Sequence, residues 1–228
     1  MKGLLGKAYS LDIKLLLRWY RVPVNWNSPL RYILFLGDGL FWSPLGVGIF
    51  ASGILTGSAL LLEAGAACTV TILISGLTFI LPKSRINRMR PFASRRVAEA
   101  SGGEVECRDR IFGRKENESF PSGHAFWTSA GMVLATWYFG LFAFLVTAPL
   151  ALSMIFFRPN LGVHFPSDTV AGFFMGALTA AASILFISLV PRFSEKILLF
   201  FHGPAAFAGW LFLALLLFSV FMTWRRHV

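Results

Sequence analysis

Carboxylates are scarce in this sequence. Asp and Glu number 11 against 21 Lys and Arg, leaving a formal net charge of +10 over 228 residues. No cluster of acids has the density needed to cage a hard divalent cation, so chemistry through bound Mg²⁺ is not expected. Cysteine is scarcer still. Cys68 lies in an apolar run and Cys107 in a polar stretch, which excludes a disulfide framework and a zinc-type spacing and leaves two free thiols. Charge of either sign is thin, at 14% of residues, while 56% are hydrophobic and 24 are Phe. A soluble domain of that make-up would expose too much apolar surface to water. A basic module interleaved with aromatics is also missing, which argues against nucleic acid as a partner. Nor do the first thirty residues read as a cleavable signal peptide, because Lys14, Arg18 and Arg21 interrupt the apolar residues and no small-residue cleavage site follows.

What is present is a series of long apolar runs. A membrane span needs about 20 such residues, and segments of that length close their own backbone hydrogen bonds only as helices. Runs at 40–62, 64–81, 122–139, 141–157, 167–190 and 204–224 meet the requirement. The first two are expected to join in a tight turn at Glu63–Gly65, and the third and fourth to hinge at Gly140. Ahead of them, Leu11, Leu15, Trp19 and Val22 recur at helical spacing among basic residues, which predicts an amphipathic helix lying in the membrane interface. The expected fold is therefore all-α: a polytopic transmembrane helical bundle of about six spans plus an N-terminal amphipathic helix. Residues 1–36 would form the interfacial segment and 37–228 the transmembrane domain, with its motif-bearing core at 83–190. Bases flanking the apolar runs suit anionic lipid headgroups.

Alternating spans bring Lys83, Pro121, Arg158 and His164 to one face of the membrane. Three stretches meet there: KSRINRMRP (83–91), PSGH (121–124) and FRPNLGVHFPSD (157–168). They supply Lys83, Arg90 and Arg158 as cations, Ser122 and Gly123 at a helix start, and the side chains of His124, His164 and Asp168. Cations beside a helix N-terminus make an oxyanion site, and arginine forks match phosphate oxygens. Phosphoryl transfer needs charge stabilisation, a nucleophile and a proton donor. His164, with Asp168 four residues on to fix its tautomer, suits the nucleophile. His124 is then the general acid. Arg85 and Arg88 read as interfacial anchors, and Asp38 as an N-cap for the first span.

These residues carry a resemblance. The chain resembles the type 2 phosphatidic acid phosphatase and haloperoxidase superfamily, whose pattern is Lys-x6-Arg-Pro, then Pro-Ser-Gly-His, then Ser-Arg-x5-His-x3-Asp. Lys83 to Pro91, Pro121 to His124, and Arg158, His164 and Asp168 match it in order and spacing. Phe157 stands where the family has serine. The resemblance implies a phosphohistidine on His164 supported by Asp168, and protonation of the leaving alcohol by His124. It further implies phosphate binding by Lys83, Arg90, Ser122, Gly123 and Arg158, without a cofactor. The substrate would be a lipid phosphate: a polyprenyl pyrophosphate, a phosphatidate, a phosphatidylglycerol phosphate or a lipid A phosphate. A lipid phosphotransferase using the same intermediate and a non-catalytic phosphate-binding scaffold are the alternatives. The expected setting is the cell membrane. On the six-span map 19 of the 21 Lys and Arg residues share the face of the site, leaving Arg192 and Lys196 opposite. That count favours a cytoplasmic site, whereas the resemblance tips the expectation towards the extracytoplasmic face.

Overall fold

A computed structural model describes residues 4–26, 29–109, 118–203, 206 and 209. Among the described residues the regular structure is helical: α1 (Leu4–Tyr20), α2 (Gly39–Thr56), α3 (Ala59–Ser75), α4 (Leu81–Arg85), α5 (Arg95–Ser101), α6 (Gly123–Asn160), α7 (Pro166–Ser188) and α8 (Phe193–His202). Among the described residues, four stretches are long and apolar enough to cross a membrane: α2, the continuous Ala59–Arg85 segment, α6 and α7. The protein is thus a multi-pass, all-α membrane bundle. The run predicted at 204–224 lies almost wholly outside the described residues.

Helix α6 counts twice. Its 38 residues would extend about 57 Å if straight, at 1.5 Å per residue. Yet a Cβ placed on Gly37 would lie 2.9 Å from His124 Cδ2 and 3.2 Å from Met154 Sδ. Two residues 30 apart can flank one glycine only if the helix doubles back. It does so at Gly140, where φ 75° and ψ −161° break the helical path in a region almost reserved for glycine. The expected hinge is therefore where the sequence places it.

The first turn is not. The reversal expected at Glu63–Gly65 falls instead at Gly57–Ser58. Gly57 closes α2 in the left-handed conformation (φ 68°), its N–H bonded to Gly53 O, and Ser58 Oγ accepts the Leu61 N–H at 3.4 Å to open α3. A left-handed C-cap followed by a serine N-cap outweighs one carboxylate as a turn signal. Glu63 sits half-buried one turn into α3.

Two features bring the helix ends together. A π-helical turn, Gly76–Ile80, interrupts the segment that runs on to Lys83; such bulges re-aim the helix beyond them. On α7, a Cβ at Gly172 or Gly176 would collide with Ser122 O or Phe126 O. Those two glycines let the start of α6 lie directly on α7. Helix α1 buries Ile13, Leu16 and Tyr20 against Val97, Val105 and Phe165. Leu11 and Val22 stay exposed. Tyr20 is fixed from outside α1, its hydroxyl accepting the Glu106 N–H at 3.1 Å and its carbonyl an Arg108 guanidinium N–H at 2.8 Å.

Candidate active site

The sequence-predicted residues converge. Lys83 lies on α4 and Arg90 directly before a 3-10 turn, Pro91–Ala93. Ser122 is the N-cap of α6 and Gly123 its first residue, while Arg158 lies in its last turn. His164 occupies the short connection to α7, and Asp168 the first turn of α7. Backbone bonds join these ends: Ser122 N–H to Asp168 O at 3.1 Å, and Phe92 N–H to Gly162 O at 3.2 Å. Arg90, Ser122, His124, Arg158, His164 and Asp168 are buried, with Lys83 and Gly123 half-buried. Arg158, Arg90 and Lys83 all lie close enough to act electrostatically on both imidazoles.

Arg158 is only 1% exposed. Its Nη1 donates to Asp109 Oδ2 at 2.7 Å in a buried ion pair. Asp109 is held there because Arg108 N–H bonds to Leu161 O at 3.0 Å, pinning the loop to the end of α6. This pair, and not residue 157, holds Arg158 in place. Phe157 itself turns away into an edge-on stack with Trp26, centroids 5.2 Å apart. Arg158 Nε and Ser122 Oγ are buried polar atoms without a protein hydrogen-bond partner. Such atoms are rare unless a ligand or water completes them.

His164 Nδ1 lies 2.6 Å from the Ser119 carbonyl oxygen. A carbonyl only accepts, so Nδ1 carries the proton and the Nε2 lone pair is left for chemistry. Burial, then the Arg158 and Arg90 guanidiniums, hold the His164 pKa well below the usual histidine value; Lys83 adds to this and the Ser119 bond opposes it. The expected direct Asp168–His164 hydrogen bond is not formed, since the carboxylate stands 4.0 Å from Nδ1. Its Oδ2 instead accepts the Phe165 N–H at 2.8 Å and the Ser119 hydroxyl, and its Oδ1 accepts Arg88 Nη1 at 2.5 Å. As the third residue of α7, Asp168 folds back on the helix N-terminus and supports the imidazole through Ser119.

With this geometry the chain can be set beside known proteins. A family model described as the PAP2 superfamily matches residues 61–192. The chain belongs to the PAP2 superfamily. A solved structure, "Crystal structure of the first transmembrane PAP2 type phosphatidylglycerolphosphate phosphatase from Bacillus subtilis", is similar at 22% sequence identity and a TM-score of 0.61, covering 82% of this chain and 89% of that one. The two share a fold. No curated protein matches. All eight predicted site residues fall within the PAP2 match, and α1 falls outside it.

Four residues that support this PAP2 site escaped sequence reasoning. Arg88, expected to be an interfacial anchor, is mostly buried and bonds Asp168. Asp12, Ser119 and Asp109 are the others. Arg88 lies inside the first motif and Ser119 beside the second; Asp12 and Asp109 meet their partners through chain separations of 76 and 49 residues. Arg85 is exposed, as expected of an anchor, and Asp38 caps α2 by accepting the Leu40 N–H at 2.8 Å.

A lowered pKa means that His164 binds a proton only when the pH falls below the ordinary histidine range. In ¹⁵N-histidine spectra of the detergent-solubilised protein, the His164 ring is expected to stay neutral, with the proton on Nδ1, as the pH passes down through 6.5. Protonation at or above that pH would contradict the site description.

Proposed function

We propose that this PAP2 protein is a membrane lipid phosphatase that hydrolyses a phosphomonoester or pyrophosphate through a phosphohistidine on His164. The observation that carries the reading is the pinned imidazole: Nδ1 is committed to Ser119 O, so Nε2 presents its lone pair within the field of Lys83, Arg90 and Arg158. In the first step Nε2 forms a bond to phosphorus while the bond from phosphorus to the leaving oxygen breaks. His124, protonated once the anionic substrate has offset the three cations, gives that oxygen a proton. In the second, water attacks the phosphohistidine, His124 takes a proton from it, and phosphate leaves with the P–N bond broken. The cations and the α6 N-terminus stabilise charge on the equatorial oxygens throughout. No step calls for a metal.

A lipid substrate is supported by a second observation. An apolar cavity of about 310 Å³ runs between α2, α3 and the two limbs of α6, with Leu36, Trp42, Cys68, Gly131, Ala135 and Leu150 among its walls. That volume is at the lower end for ligand pockets. Leu36 adjoins Gly37, which abuts His124, so a hydrocarbon chain in the cavity would bring its phosphate towards His124. Phosphatidate, phosphatidylglycerol phosphate, a polyprenyl pyrophosphate and a lipid A phosphate all have this form. Exposed Lys7, Lys14, Arg18 and Arg21 on and beside α1 suit the anionic headgroups of the surrounding bilayer.

The test is phosphate release from a panel of these lipids by purified protein in detergent with EDTA present. Full activity in EDTA and a loss of about a thousandfold or more in His164→Ala are expected. Binding without turnover would contradict the reading, as would phosphate appearing only on an added alcohol. Within that panel, Ala135→Phe is expected to lower activity on long-chain lipids while leaving hydrolysis of a short-chain, water-soluble analogue unchanged. Equal loss on both would remove the cavity from the account.

A further inference from the structure

The support of His164 extends beyond the three motifs, into a helix outside the PAP2 match. Arg88 Nη1 donates to Asp168 Oδ1 at 2.5 Å and to Ser167 Oγ at 2.7 Å, and Nη2 donates to Asp12 Oδ2 at 2.5 Å. The guanidinium lies over the Phe165 ring, 3.9 Å from its centroid. Asp12 also accepts the Ser167 N–H at 3.0 Å and its hydroxyl at 2.5 Å. On α1, Asp12 is buried beside Ile13 and Leu16, while Leu11 and Lys14 on either side are exposed. An amphipathic helix has no reason of its own to bury a carboxylate. This one is buried because it completes a chain of charge.

We propose that Asp12 is a positioning residue for His164, acting through Arg88 and Asp168, so that the N-terminal helix forms part of the active centre. The proposal rests on the reading of His164 as nucleophile. Arg88 comes from an irregular segment and needs two anchors to fix its planar fork. Asp12 is one and Asp168 the other. Arg88 also accepts the Ser119 N–H on its carbonyl at 2.7 Å. The residue whose carbonyl pins His164 Nδ1 is therefore held twice, by the Arg88 backbone and through the hydroxyl that Asp168 accepts. Without Asp12 the guanidinium loses the grip of one nitrogen, Asp168 loses a fixed partner, and the imidazole loses its aim. Arg158 is held by Asp109 rather than by this chain of bonds, so oxyanion binding is expected to persist.

The experiment uses the full-length protein in detergent, with p-nitrophenyl phosphate and phosphatidate as substrates and orthovanadate as inhibitor. Asp12→Asn is expected to lower kcat by about 10- to 100-fold, the range typical when a supporting partner of a reactive histidine is lost. KM and the vanadate inhibition constant should stay within about twofold, and Asp12→Glu should restore part of the rate. Unchanged kcat would overturn the proposal. So would a rise in KM and in the vanadate constant parallel to a fall in Tm, which marks a merely structural role. If Asp12→Asn does not fold, Arg88→Lys keeps the charge but loses the fork, and must give the same loss confined to kcat; full activity there overturns the proposal equally. His164→Ala in the same assay separates the two claims. Activity surviving that substitution defeats the nucleophile reading itself, whereas dependence on His164 with indifference to Asp12 and Arg88 defeats only the positioning role.

Discussion

Arg158 ends an apolar helix with its guanidinium almost wholly out of water and one carboxylate, Asp109, on one of its nitrogens. Burying an ion costs several kcal/mol even after relaxation, and a single partner offsets that only when the geometry is good. Arg90 is buried nearby and Lys83 half-buried, and all three cations act on the same two imidazoles. Cations gathered beside a helix N-terminus suit an anion, and in the proposed function that anion is the phosphate of the substrate. Much of the fold serves to gather these groups at one end of the bundle. The hairpin at Gly140 brings both ends of α6 to one side. The glycines of α7 let the start of α6 lie against it.

Burial first, and then the same cations, hold the His164 ring neutral before a substrate arrives, as the proposed nucleophile requires. Ser119 then decides which nitrogen is reactive. Asp168 stands one layer back, gripping the Ser119 hydroxyl, the α7 N-terminus and Arg88 at once. In the proposed mechanism its charge, 4.0 Å from Nδ1, would favour the imidazolium formed as His164 attacks phosphate, without a direct bond. The carboxylate thus serves the helix cap, the loop and the ring together, which explains why it is wholly buried.

The parts of this arrangement that sequence alone revealed were local ones. The three motifs announce themselves by residue type and spacing, Gly140 by its place between two apolar runs, and the opening of α6 by Ser122-Gly123. The turn at Gly57–Ser58 was equally local, yet Glu63 drew attention because a charge stands out more than a glycine–serine cap in an apolar stretch. The long-range ion pairs were not legible. Arg88 had the look of any base following a span, and its meaning depends on Asp12, far off on a helix whose pattern speaks only of amphipathicity. Asp109 was one acid among several in a polar loop. Tertiary pairing of single charges leaves no periodicity, whereas hydrophobic burial does.

The most direct test of the central claim is to locate a tetrahedral oxyanion in the protein. Crystals of the PAP2 chain grown in lipid and soaked with tungstate would give an anomalous peak at the metal centre. The account predicts that peak within hydrogen-bonding reach of Arg90, Arg158 and the Ser122–Gly123 helix start, with His164 Nε2 facing the central atom. A peak at another surface, with Arg90 and Arg158 turned apart, would contradict it.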